Sequence, residues 1–118
     1  MSGNLKPPPS TPAAVAAAVL DAIEARPQNF SMHSWHWQAN GDASLLPSEE
    51  PGCGTTMCVA GWAAHVTGWT LRGSRGFKDG DARDVEDIAQ DALGLEYANL
   101  FYYSAEDAVE ALRGIAGR

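Results

Sequence analysis

The stretch Cys53-Gly54-Thr55-Thr56-Met57-Cys58-Val59-Ala60-Gly61-Trp62-Ala63-Ala64 constrains the fold more than any other part of this chain. A Gly-flanked turn leads into a threonine helix start and then into a run of small residues. The pattern predicts a helix capped by Thr55 or Thr56 and ending near Gly68. Ala60, Gly61, Ala63 and Ala64 leave its surface nearly flat, so another helix can approach closely. That places this helix at the centre, with Trp62 buried beside Val19 and Ile23.

The remaining elements follow from local pattern. Thr11 then Pro12 is a hydroxyl N-cap followed by proline at the first helical position. Val15, Ala16, Val19, Leu20 and Ile23 form one apolar stripe, and Pro27 stops the helix. Residues 28–52 lack a helical period. Ser34 to Gln38 could be a short strand, and Leu45, Leu46 and Pro47 are expected to tack this long loop onto the core. Trp69 to Phe77 is Gly-rich, with room for a strand at Trp69 to Arg72 that could pair with Trp35 to Trp37. Asp81 or Asp84 caps a helix with the stripe Val85, Ile88, Ala89, Ala92 and Leu93, stopped by Gly94. A short helix carries Tyr97, Leu100 and Phe101. Ser104 caps a last helix burying Ala108, Val109, Leu112 and Ile115. The expected fold is mainly α: about five short helices around the central one, with at most a minor two-stranded ribbon. Residues 1–10, with Pro7, Pro8 and Pro9, read as a flexible tail, and 11–118 as a single helical domain.

Charge bears on the partner. The 118 residues carry a formal net charge of −7, and 10 of the 15 acidic residues fall between Asp79 and Glu110. The densest basic region, Arg72, Arg75, Lys78 and Arg83, is interrupted by Asp79 and Asp81 and reads as a solvated loop. Nucleic-acid binding draws its affinity from clustered cations, so this balance argues against a nucleic-acid partner. An acidic face steers instead toward a basic protein surface. No apolar run reaches the roughly 18 residues of a membrane span, and prolines follow Lys6 where a signal peptide would have its apolar core. The expectation is a cytoplasmic protein with no membrane partner.

Several constellations could carry chemistry. Cys53 and Cys58 at C-x4-C spacing, with His33 and His36, could supply four zinc ligands, although that spacing lies at the edge of the usual range. The thiols could also be disulfide-linked, or simply buried small hydrophobes, reduced and metal-free. Cys53 just ahead of a helix start could be a nucleophile with His33, His36 or His65 as base. His65 also reads as a rim histidine with one nitrogen bonded to backbone. Asp79, Asp81 and Asp84 fail as a calcium loop: Arg83 occupies the fifth position and no glycine the sixth. There is no phosphate-binding glycine loop and no serine-centred elbow.

Cys53-Gly54-Thr55 … Cys58-x-Ala60-Gly61-Trp62-Ala63 resembles a motif of an uncharacterised family of small actinobacterial and bacteriophage proteins. The resemblance extends to Ile23-Glu24-x-x-Pro27 … Phe30-x-Met32-x-x-Trp35 and to Ala92-Leu93-Gly94-Leu95 … Leu100-Phe101, covering roughly Val15 to Ile115. His33 and His36 lie outside the motif. The resemblance implies a phage or prophage accessory protein in the bacterial host cell and supplies no mechanism.

The expectation is therefore a non-enzymatic protein, without cofactor, that binds a host protein. An anti-defence inhibitor whose acidic face competes with nucleic acid is one form of it. The binding residues are expected to be Asp84, Asp87, Asp91 and Glu110, or the loop aromatics Trp35, His36 and Trp37. The alternatives are a small enzyme using Cys53 and His65, and a structural zinc domain using His33, His36, Cys53 and Cys58.

Overall fold

A computed structural model describes residues 9–38, 44–51, 54–96 and 98–118. Among these are four α-helices: α1 Pro12–Ala25, α2 Val59–Val66, α3 Val85–Ala92 and α4 Ala105–Ala116. Two small antiparallel sheets accompany them. One pairs β1 Trp37–Gln38 with β2 Thr55–Thr56; the other is a meander of β3 Thr70–Arg72, β4 Arg75–Lys78 and β5 Asp81–Asp84. The fold is mixed α and β, which corrects the expectation of about five helices in a mainly α domain. The Pro-rich stretch 1–8 lies outside the described residues.

Helices α1, α3 and α4 form where the local signals placed them. Thr11 Oγ1 accepts from the Ala14 amide at 3.2 Å, and Pro12 opens α1. Val15, Ala16, Val19, Leu20 and Ile23 are its buried face. Ser104 Oγ caps α4 by accepting from the Asp107 amide at 3.3 Å. At the end of α3, Gly94 donates to Asp91 O and Leu95 donates to Gln90 O, the paired bonds of a Schellman stop. α4 packs on α1, α1 on α2, and α2 on α3. Trp62 is 2% exposed, in the same core as Val19 and Ile23.

Three elements differ from the sequence expectation. First, α2 starts at Val59 with Cys58 as its N-cap, and Thr55–Thr56 is strand. The amides that a helix start would have used are taken across the chain. Met57 N–H donates to Asn29 O at 2.9 Å, and Cys58 N–H donates to Ser34 O at 2.7 Å. Asn29 Nδ2 donates to Thr55 O at 2.7 Å, buried. Second, residues 70–84 form the meander, so the basic stretch is sheet where a solvated loop was expected. Strand β3 pairs with β4, and β1 pairs with β2. Its β4–β5 turn is Asp79-Gly80, both with positive φ, 50° and 87°. That is the conformation a two-residue hairpin needs, and Gly80 adopts it without steric cost. Third, the expected helix near Leu100 is a 3-10 turn, Ala98–Tyr102, with Leu100 and Phe101 buried. Tyr97 lies outside the described residues. Of the loop anchors, Leu45 is buried and exchanges two 2.8 Å backbone bonds with Leu71, extending the meander edge; Leu46 and Pro47 are exposed.

The flat surface of α2 is also used differently from what was expected. A Cβ on Gly61 would collide with the Trp35 carbonyl oxygen and crowd Met57 Cβ at 2.8 Å. What lies on α2 at this point is therefore the backbone of the Trp35 segment, not a helix. Glycine is required because backbone, which cannot rotate away, occupies the space.

Candidate protein-binding surface

The segment laid over Gly61 presents Trp35. Its ring stands perpendicular to Tyr102, at 5.9 Å between centroids and 89° between planes, and edge-on to Phe101 at 6.0 Å. Phe101 and Tyr102 come from the 3-10 turn, whose buried Leu100 and Phe101 fix it to the core. Tyr102 is 70% exposed. It donates to Glu86 Oε2 at 2.7 Å, and that carboxylate acceptor holds the phenol above its ordinary pKa, so it stays a donor.

Two hollows share the Trp35–Tyr102 pair. One, about 310 Å³, is lined further by Met32, His33, Cys58 and Phe101. The other, about 270 Å³, is lined further by Ser74, Asp84 and Glu86. Asp84 is the N-cap residue of α3 and Glu86 lies in its first turn, where the helix dipole favours carboxylates. Ser74 sits in the β3–β4 turn, and its carbonyl accepts from Val85 N–H at 2.9 Å. The turn, the α3 start and the aromatic pair thus meet at one place. A third hollow, about 500 Å³ and mostly apolar, lies between α1 and α4 with Ile23, Phe30, Val109 and Glu110 among its lining residues.

The expected acidic set is distributed over this frame. Asp84 joins the aromatic hollow and pairs with Arg75 at 2.9 Å. Asp91 pairs with Arg83 at 2.6 Å. Asp87 is exposed on α3, and Glu110 is on α4, which packs on α1 while α3 packs on α2. Arg75 and Arg83 come from the meander, so β4 and β5 supply counter-ions to the acidic helix that follows. These pairs are exposed and contribute little to stability. Lys78 lies 5.7 Å from the Trp69 ring centroid and donates to Thr67 O at 3.0 Å.

The three loop aromatics divide. Trp37 is 54% exposed, Trp35 is half-buried, and His36 is only 8% exposed. His36 is a structural tie: Nδ1 donates to Gly73 O at 3.1 Å and Nε2 accepts from the Gln38 amide at 3.0 Å. Burial lowers its pKa, and the Gly73 bond opposes that. With both ring nitrogens used, His36 offers no ligand atom in this state. His33 is exposed and lines the Cys58 hollow, so those two residues do come together.

The catalytic and metal alternatives centre on Cys53, which lies outside the described residues. Among the described residues there is no group of three or more His, Cys, Asp and Glu able to hold a metal. Cys58 is 2% exposed. Burial pushes its thiol pKa up, more than the Gly61 and Ala60 amides at the α2 start pull it down. His65 is buried in the last turn of α2, edge-on to Trp62 at 5.9 Å between centroids. Burial lowers its pKa, while the Glu49 backbone beside it pulls the other way. His65 is thus more deeply buried than the rim position expected of it, and its Nδ1 has no hydrogen-bond partner among the described residues.

Glu86, Ser74 and Tyr102 were missed by sequence reasoning. Glu86 had a usable signal, two residues after a candidate N-cap; Ser74 and Tyr102 are brought in only by the folded chain. None of the described helices is long and apolar enough to cross a membrane. Comparison with known proteins finds no matching family, no matching characterised protein and no matching solved structure.

Proposed function

We propose that this chain is a non-enzymatic phage or prophage accessory protein that binds a host protein inside the bacterial cell, and that it binds through the surface around Trp35 and Tyr102. One observation carries the reading. Half-buried Trp35 braces exposed Tyr102 between two hollows, with Asp84 and Glu86 on one flank. A rigid aromatic anchor beside polar groups is the composition of an interface hot spot. Of the acidic and aromatic residues that the sequence offered as alternatives, Asp84 and Trp35 line the same hollow. The overall negative charge supports a basic partner surface.

The test is capture from an actinobacterial host lysate, followed by measured affinity for the captured protein. Tyr102→Ala should weaken that affinity at least about tenfold, as truncation of a central aromatic anchor does. Trp37→Ala, on the β1 edge, should change it little. Equal affinities for the wild type and Tyr102→Ala would remove this surface from the proposal.

A further inference from the structure

Resting on that binding reading, we infer that the hollow formed by Trp35, Tyr102, Ser74, Asp84 and Glu86 receives an arginine side chain of the partner. The two rings meet at 89°, giving a corner with aromatic walls. Asp84 and Glu86 line the same hollow. A guanidinium is the side-chain group that both stacks on an aromatic face and takes carboxylate oxygens through a planar fork; an ammonium does the second far less specifically. At about 270 Å³ the hollow falls below the usual 300–1,000 Å³ of small-molecule sites and suits a single side chain.

The chain itself shows the preferred chemistry. Arg75 of β4 already places a guanidinium nitrogen 2.9 Å from Asp84 Oδ1 at the rim, with both partners about half exposed. An exposed pair of this kind is held weakly and exchanges readily. Arg75 therefore acts as an in-chain competitor for Asp84, and an incoming arginine displaces it. Glu86 is held in place by the Tyr102 hydroxyl through Oε2, which orients the carboxylate against the ring that the guanidinium would stack on.

The experiment uses the full chain, 15N-labelled, with three blocked peptides: Ac-Gly-Ser-Arg-Ser-Gly-NH2 and its citrulline and lysine counterparts. The arginine peptide should bind with Kd in the millimolar range, shifting the Trp35 indole N–H and the amides of residues 74–86. Citrulline, a neutral isostere, should bind at least about tenfold more weakly, and lysine in between. Glu86→Gln, whose carbonyl can still accept from Tyr102, should weaken arginine binding about three- to tenfold, the size of one charge-assisted contact at a half-exposed site. Arg75→Gln should tighten it, because the competitor is gone. Equal binding of arginine and citrulline, or weaker binding by Arg75→Gln, overturns the inference. The two proposals fail separately. A captured partner that depends on Tyr102, together with peptides that bind alike, keeps the surface and removes the arginine. Arginine-selective peptide binding, with a captured partner indifferent to Tyr102 and Glu86, keeps the arginine site and removes the partner reading.

Discussion

Trp62 and Trp35 both lie on or against α2, yet they do different work. Trp62 projects from the helix into the core that α1 and α3 share with it and is 2% exposed. Trp35 rides on a loop whose backbone crosses the same helix at Gly61, and its ring ends half-buried against Tyr102. One tryptophan fills volume. The other packs its backbone over Gly61 and its ring partly against Phe101, leaving the ring half-buried beside Tyr102. The difference shows that an indole near a helix is not by that fact a core residue; what matters is how much of the ring the packing covers.

The largest effect expected from that contrast is on stability. Trp62→Ala should cost about 3–5 kcal/mol in chemical denaturation, the usual range for truncating a buried aromatic. Trp35→Ala should cost clearly less, and Tyr102→Ala should fall within about 0.5 kcal/mol, as surface changes do. Comparable losses for Trp62→Ala and Tyr102→Ala would erase the distinction between core ring and surface ring.

Next is the contact that holds Trp35 in place. Gly61→Ala drives a methyl into the Trp35 carbonyl. It should destabilise by about 1–3 kcal/mol, the range for overpacking, and displace the Trp35 segment. In NMR the Trp35 indole should move while the Trp62 indole moves less. If Gly61→Ala is neutral, the backbone of residue 35 does not lie against α2.

A smaller effect comes from the two buried histidines. His36 and His65 both have folded pKa values lowered chiefly by burial. As pH falls, the unfolded chain therefore takes up protons first. Their contribution is complete above the ordinary histidine pKa of about 6.5 and is lost as pH falls from there through the folded values. Tm should drop between pH 7.5 and 5.5, and His36→Gln should flatten part of that drop. A Tm with no slope in this window would mean that the Gly73–His36–Gln38 tie is exposed to solvent.

The smallest effect is on association rate. Asp87→Lys with Asp91→Lys reverses charge on α3 outside the aromatic hollow and frees Arg83. Binding to the captured host protein should slow severalfold, with the on-rate falling as salt screens the field over about 8–10 Å. Stability should change little. An on-rate indifferent to both changes would confine the electrostatics to Asp84 and Glu86.

Parts of this fold were legible in advance, and the pattern of success has a physical cause. Thr11, Pro12 and the Val15-to-Ile23 stripe define α1 within one stretch of chain, and Ser104 with Ala108 and Leu112 defines α4. Helical spacing and capping bonds span three or four residues, so the sequence holds all their terms. Of the meander, only β3 carries a strand signal in the sequence, at Trp69 to Arg72, because the strands are short and the alternation is broken by Gly73 and Gly76. Asp79-Gly80 carries a hairpin signal, which the failed calcium reading of Asp79, Asp81 and Asp84 passes over. Calcium ligands need a loop open to the ion, whereas Asp79 lies in a two-residue turn and Asp81 and Asp84 lie in β5.

By itself the sequence determined which residues are apolar on each helix, where α1, α3 and α4 begin or stop, and the negative balance of the surface. The tertiary structure decided the rest. Thr55–Thr56 became strand because Trp37–Gln38 pairs with it, while Asn29 and Ser34 accept the Met57 and Cys58 amides that would otherwise have opened a helix. His36 became a tie because Gly73 arrived beside its ring. The Trp35–Tyr102 corner with Glu86 exists only after the Trp35 segment and the 3-10 turn have docked beside α2 and α3. The reason is the reach of the interactions. Caps and periodic stripes are local in the chain, whereas a strand partner, a histidine tautomer and a binding hollow each depend on groups that only folding brings within hydrogen-bond or ring-contact distance.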